Sequence, residues 1–383
     1  MTFSSLAPVF RRSFTGVALA IVVVVSATAL AACDSGSVTD TSDIDRTALL
    51  NNYGSNIILP AYETLQNETD DLNVAAEAFV ASPSVSTLAE VRTRLRAARL
   101  AWQDANLFQF GPAENVALRG ALNTYPTDED QIDDNVASGS YTLGSVTNQA
   151  AGGFPAVGYL LYGVGASDEE IVAAYTDGSN ADGLGQYLAD NTAFIKSNID
   201  QVVTGWQPSG GDYLGMFTSE ANAGTDVGSS LGMLINALVL HYERFARDGK
   251  VGIPAGVRSA GVARPTATEA HYGGYSLELA RANVEAIKRL YQGTGLDGAS
   301  GTGLDDNLRT LDAAALDTEI ANELDGSMDA LSGLSDPLAN QIEENNDPVL
   351  AAFQEMQDVV VLLKADMTSV LGVTITFQDN DGD

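Results

Sequence analysis

The sequence predicts an all-α protein built from two packed helical bundles, and three observations in its 383 residues carry that prediction. Apolar residues recur at spacings of three and four through most of the chain beyond residue 43. Hydroxyl residues followed three places later by Glu, the mark of a helix start, stand before two of these runs. Alternating apolar and polar residues are nearly absent. Val373-Thr374-Ile375-Thr376-Phe377 is the stretch that predicts a short C-terminal strand.

The first 33 residues read as an export signal: Arg11 and Arg12 precede an apolar run over 17–30, which ends in Leu30-Ala31-Ala32-Cys33. Leu-Ala-Ala-Cys resembles a bacterial lipobox, and Cys33 is the only cysteine of the chain, so lipidation at Cys33 is expected. Arg11-Arg12-Ser13-Phe14 also matches the core of a twin-arginine signal, which leaves the export route open. Residues 34–42 are polar and read as a tether between lipid and fold.

Helical runs follow over 44–80, 87–102, 180–204, 226–247, 269–292, 309–332 and 348–370, and a further helix is expected to start after Ser167. Pro60 is expected to kink or divide the first of them. Thr87 with Glu90 and Ser167 with Glu170 are the two predicted capping boxes. After the first, Leu88, Val91, Leu95, Ala98 and Trp102 form the buried stripe, with Arg92, Arg94, Arg96 and Arg99 mainly off it. The Gly-rich stretch 205–211 reads as the junction between an N-terminal bundle (43–204) and a C-terminal one (212–383).

Charge excludes several function classes. The chain has 19 basic and 51 acidic residues, and removal of the signal leaves 17 basic against the same 51. Such a polyanion is repelled by phosphate backbones, so nucleic acid is excluded as a partner. Contact with the membrane is expected through the lipid anchor alone. One Cys and two His forbid a Cys-rich or three-His metal centre. No Gly-x-Ser-x-Gly nucleophile turn or phosphate-binding Gly-rich loop with its Lys-Ser/Thr is present.

Several segments resemble the imelysin family. Trp102 through Phe108, Phe110, Gly111 and Pro112 is similar to a helix end of that family, and Asn123-Thr124-Tyr125-Pro126-Thr127-Asp128 to a turn of it. Gly153-Phe154-Pro155-Ala156-Val157-Gly158-Tyr159 aligns with its GxHxxE signature. Arg264-Pro265 with Glu269-Ala270-His271-Tyr272-Gly273-Gly274-Tyr275-Ser276 resembles a fourth segment, and the tail from Gly372 a fifth. The resemblance implies two helical bundles with a site in the cleft between them, a cell-envelope location and an association with iron uptake. It also implies a peptidase label, since some members are described as metallopeptidases.

The departure from the family lies in that signature. Pro155 stands at the histidine position and Gly158 at the glutamate position, and neither side chain can ligate a metal or move a proton. Pro155 suits a first helical turn, the Gly152-Gly153 pair suits a sharp turn before it, and Gly158 leaves room for a neighbouring helix or a ligand.

The resemblance places Trp102, Phe110, Tyr125, Asp128, Phe154, Pro155, Gly158 and Tyr159 at the cleft. Arg264, Glu269, His271, Tyr272, Tyr275 and Ser276 form a polar pocket there, or else Thr268 simply caps a helix that starts at Glu269. Glu269 and His271 are the weak metal candidates, and His241 reads as a hydrogen-bonded helix residue. The leading expectation is a binding lipoprotein that captures iron or another divalent cation, an iron complex, a small ligand or a peptide. The competing expectations are a metallopeptidase with relocated ligands and an adaptor that docks an envelope receptor.

Overall fold

The computed structural model describes residues 44–377; the signal, Cys33, the tether and the acidic end of the tail lie outside them. The described residues form helices and turns, with one isolated bridge between Thr294 and Ser300 and no strand. Each run foreseen from spacing of threes and fours contains a helix, as burial of one apolar face requires, although the runs 226–247, 269–292 and 309–332 include turns as well.

The chain begins with Arg46–Asn52, passes through a wide π-type stretch at Tyr53–Ile58, and continues as α1 (Leu59–Ala81). Pro60 falls in the first turn of α1, where its missing N–H is not needed. Helix α2 (Val85–Ala105) packs back along α1. Its cap differs from expectation: Ser84 and Thr87 bond reciprocally, 3.2 Å from Thr87 N to Ser84 Oγ and 3.1 Å from Ser84 N to Thr87 Oγ1, while Glu90 pairs with Arg94. The helix therefore starts three residues earlier, because Ser84 offers an extended-backbone cap immediately after Pro83.

Helix α3 (Gly153–Tyr162) carries the altered signature and is buried along nearly its whole length. Gly153 has φ +76°, and a Cβ there would lie 2.3 Å from the Leu122 carbonyl oxygen, so only glycine fits. Ser167 caps Asp168–Thr176 as foreseen, with Glu170 reaching back to the Ala166 N–H instead of that of Ser167. Helix α4 (Ala181–Trp206) completes the packing around α1 and α3.

After it, Ser230–Leu240 runs into a second π-type stretch, His241–Gly252, against which α5 (Ser276–Tyr291) and α6 (Asp347–Val361) pack. Helix α5 also packs against α2, and that contact frames the site. The described residues, 44–377, all fall within one compact unit.

Two local expectations fail. Thr268 does not cap a helix: residues 268–275 are irregular, and α5 begins only at Ser276. Gly273 and Gly274, the latter at φ +70°, break the run, and Asp336 from a distant turn accepts the N–H groups of Leu277 and Glu278 at 2.9 and 3.0 Å. The predicted strand at 373–377 is an extended segment with no partner strand. It is held by the side-chain amide of Asn236, which donates to the Thr374 carbonyl (3.0 Å) and accepts from Thr376 N (2.9 Å). One amide thus supplies the pairing that a strand would have needed.

Candidate functional site

Glu269 sits at the centre of the site, 2% exposed, in the irregular segment before α5. Its Oε1 accepts from Asn123 Nδ2 (2.9 Å) and Gln103 Nε2 (3.1 Å), and its Oε2 accepts from Lys250 Nζ. The same ammonium donates to Gln103 Oε1 at 2.7 Å. Arg99, one turn before Gln103 on α2, donates to the Glu269 backbone carbonyl. Burial alone would raise the Glu269 carboxyl; the charges of Lys250 and Arg99 and the hydrogen bonds outweigh it and hold the group below its ordinary 4.5. Lys250 is lowered by burial, reinforced by the guanidinium groups of Arg99 and Arg119 and opposed by Glu269.

Pro155 and Gly158 face this cluster from α3. A Cβ on Gly158 would lie 3.5 Å from the Arg99 Nη1, so the space that a longer side chain would fill holds a guanidinium. Arg99 is itself buried, with Tyr275 5.8 Å from its charge centre. The hollow bounded by Arg99, Tyr125, Pro155, Gly158, Glu269 and His271 has a volume of about 10 Å³, hardly that of one water. Its outer edge is formed by Tyr272, whose ring centre lies 5.3 Å from that of Tyr159 with the two rings tilted by 59°. These two phenols donate to Glu129 Oε1 (2.5 Å) and Asp133 Oδ1 (3.2 Å), so two of the four acids of the helix Glu129–Ser138 are engaged by tyrosines.

Of the residues placed at the cleft by resemblance, Tyr125, Pro155, Gly158, Glu269, His271 and Tyr272 line this hollow, with Tyr159 against the Tyr272 ring. Trp102 and Phe154 are core residues 6.2 Å apart. Phe110 belongs to a separate aromatic cluster with Trp206 and Phe217. Asp128 is an exposed cap that accepts from Gln131 N, and Arg264 is exposed and lines no part of the hollow. Ser276 Oγ accepts from Ala270 N and shapes the loop that carries Glu269.

His241 is hydrogen-bonded at both nitrogens. Arg119, which can only donate, lies 3.0 Å from Nδ1, so Nε2 carries the proton and donates to Asn283 Oδ1 at 2.9 Å. Burial first, then the Arg119 charge, depress this imidazole well below 6.5, and it is neutral.

Residue spacing did not single out Arg99, Gln103, Arg119, Asn123 or Lys250. A signal existed for some of them: Arg99 is four residues after Leu95 and three before Trp102, on the buried stripe, and Lys250 is one of only four lysines beyond the signal.

The comparisons fit this geometry. The model of the imelysin family matches residues 58–365, most of the chain. The chain belongs to the imelysin family. A stretch of 72 residues is 29% identical to iron-regulated protein A of Synechococcus elongatus, and it spans only 20% of that protein's length. Among solved structures, an iron-regulated protein A precursor from Parabacteroides distasonis superposes with a TM-score of 0.71 at 20% identity, covering 88% of this chain and 97% of that one. An imelysin-like protein from Psychrobacter arcticum gives 0.63 at 16%, covering 89% and 99%. At these identities the likeness establishes the all-helical fold.

A metal implied by the family's peptidase label does not fit here. The carboxylate that would remain as a ligand is bound by an ammonium and two amides, and the signature's own ligands are Pro155 and Gly158. Among the described residues no group of three or more His, Cys, Asp or Glu side chains is placed to share a metal ion.

Proposed function

We propose that this imelysin-family protein is a non-hydrolytic binding protein of the bacterial cell envelope, anchored at Cys33 and linked to iron handling. The observation that carries the reading is the buried Lys250–Glu269 pair beside Pro155 and Gly158. An ammonium with fixed geometry takes the place that a dissociable cation would need, and a metal would have to displace it at the cost of leaving a buried charge. Glu269 is therefore a structural acid, and a peptidase relying on Glu269 and His271 loses its principal ligand. Support for iron handling comes from the names of the relatives, one called iron-regulated protein A and one its precursor. Support for the envelope comes from the export signal and lipobox-like Leu30-Ala31-Ala32-Cys33. No helix among the described residues is long and apolar enough to cross a membrane.

The test restores the signature. Pro155→His with Gly158→Glu supplies both missing side chains, but the new carboxylate would meet Arg99. Neither the parent nor this variant should bind stoichiometric zinc or hydrolyse a peptide by elemental analysis and a chelator-controlled cleavage assay. Stoichiometric metal with chelator-sensitive hydrolysis in the parent would overturn the reading.

A further inference from the structure

Next to the closed hollow, on the other side of Tyr125 and Lys250, lies a cavity of about 420 Å³. Three of its lining residues are Arg119, Arg244 and Lys250, and none is an acid. In a chain with 51 acidic and 19 basic residues, such a grouping runs against composition. The adjoining hollow, which shares Gly120 and Gln149, is lined by no charged side chain at all.

The π-type stretch explains the grouping. Its wide turns bring residues four and five apart onto one face, so that Arg244, Phe245, Gly249 and Lys250 all reach the cavity. Arg119 comes from the opposite wall on the short helix Leu118–Leu122. Its guanidinium lies 3.6 Å over the Phe245 ring and donates to Asn106 Oδ1 (2.9 Å), Asn106 O (2.8 Å) and the neutral His241. Those partners fix its orientation and supply no counter-charge. Burial lowers it to about 9, so it is still charged at neutral pH. Behind it, Lys250 and Arg99 outnumber the single carboxylate of Glu269, and the local balance is positive.

We infer that this cavity binds a small oxyanion carrying two or more negative charges, a polycarboxylate or a phosphate. Arg119 would supply the fixed, partly desolvated charge, Arg244 an exposed second charge at the mouth, and Asn123 and Gln149 neutral polar contacts. The inference deepens the binding-protein reading by naming the ligand class: iron would arrive as an anionic chelate, not as a bare cation.

Titration calorimetry on the full-length protein, with citrate and inorganic phosphate as separate probes, tests it. One saturable site for either anion is expected, and which anion binds distinguishes a polycarboxylate site from a phosphate site. Arg119→Gln and, separately, Arg244→Glu should each weaken binding by about tenfold or more, while Arg94→Gln, whose guanidinium pairs with Glu90 and Asp71 and lines no part of the cavity, should leave it unchanged. Arg244 is exposed, so its variant keeps the test sound if Arg119→Gln fails to fold. Absence of saturable binding of both anions, or equal binding by the Arg244→Glu protein, would overturn the inference. Metal content and hydrolysis are measured separately, so failure here leaves the non-hydrolytic reading standing on its own test.

Discussion

Replacing Lys250 by Met removes one charge from a pair whose side chains are 3% and 1% exposed. Glu269 would then be buried with only Asn123 and Gln103 hydrogen-bonded to its carboxylate and Arg99 on its backbone carbonyl. Breaking a buried pair from one side costs about 3–5 kcal/mol, and the surviving amide bonds place this case near about 3 kcal/mol. Removing both charges with Lys250→Met and Glu269→Gln should recover most of the loss, because the desolvation of two ions disappears with them. Urea unfolding followed by the fluorescence of Trp102 and Trp206 measures all four corners of the cycle. The pH dependence supplies a second check. In the parent, Glu269 is held below 4.5, so its contribution is fully present above that value and is lost as pH falls through the folded value. In Lys250→Met the chief lowering charge is gone and burial prevails, so the ionised Glu269 destabilises the variant at neutral pH. The stability gap should therefore narrow on acidification. A loss below about 1 kcal/mol, or additive single and double effects, would refute the account of Lys250 as the resident cation.

Two further variants probe the scaffold. Gly153→Ala places a Cβ against the Leu122 carbonyl at positive φ and should cost about 3 kcal/mol in the same unfolding assay. Asn236→Ala removes the amide that holds the tail, and should cost about 1–2 kcal/mol. Hydrogen exchange at Thr376 should rise with little change elsewhere, and an unchanged exchange rate would contradict the tail's attachment.

The helical runs were legible because burial of one face imposes a period that survives in the residue order. The buried positions of α2 from Leu88 to Trp102 are, Arg99 aside, those the spacing marks. Their ends were less legible. Ser84 competes with Thr87 for the cap within one turn, and the start of α5 is secured by Asp336, which sequence order places far away. Arg99 was misplaced for a related reason: side-chain polarity argued for solvent, whereas its spacing on the stripe and the carbonyl waiting in the Glu269 loop draw it inside. The strand pattern at 373–377 was genuine as a preference for extended backbone, but pairing needs a neighbour, and the neighbour is a single amide.

Sequence alone determined the helical class and the loss of ligating groups at Pro155 and Gly158, since no packing can return an imidazole or a carboxylate to residues that lack them. Tertiary structure decided what stands there instead. Lys250 meets Gln103 from 147 positions away and Gln103 meets Glu269 from 166, while Arg119 reaches His241 across 122. Charge and hydrogen bonding act through space, so their partners are chosen by how the helices pack and not by their order along the chain.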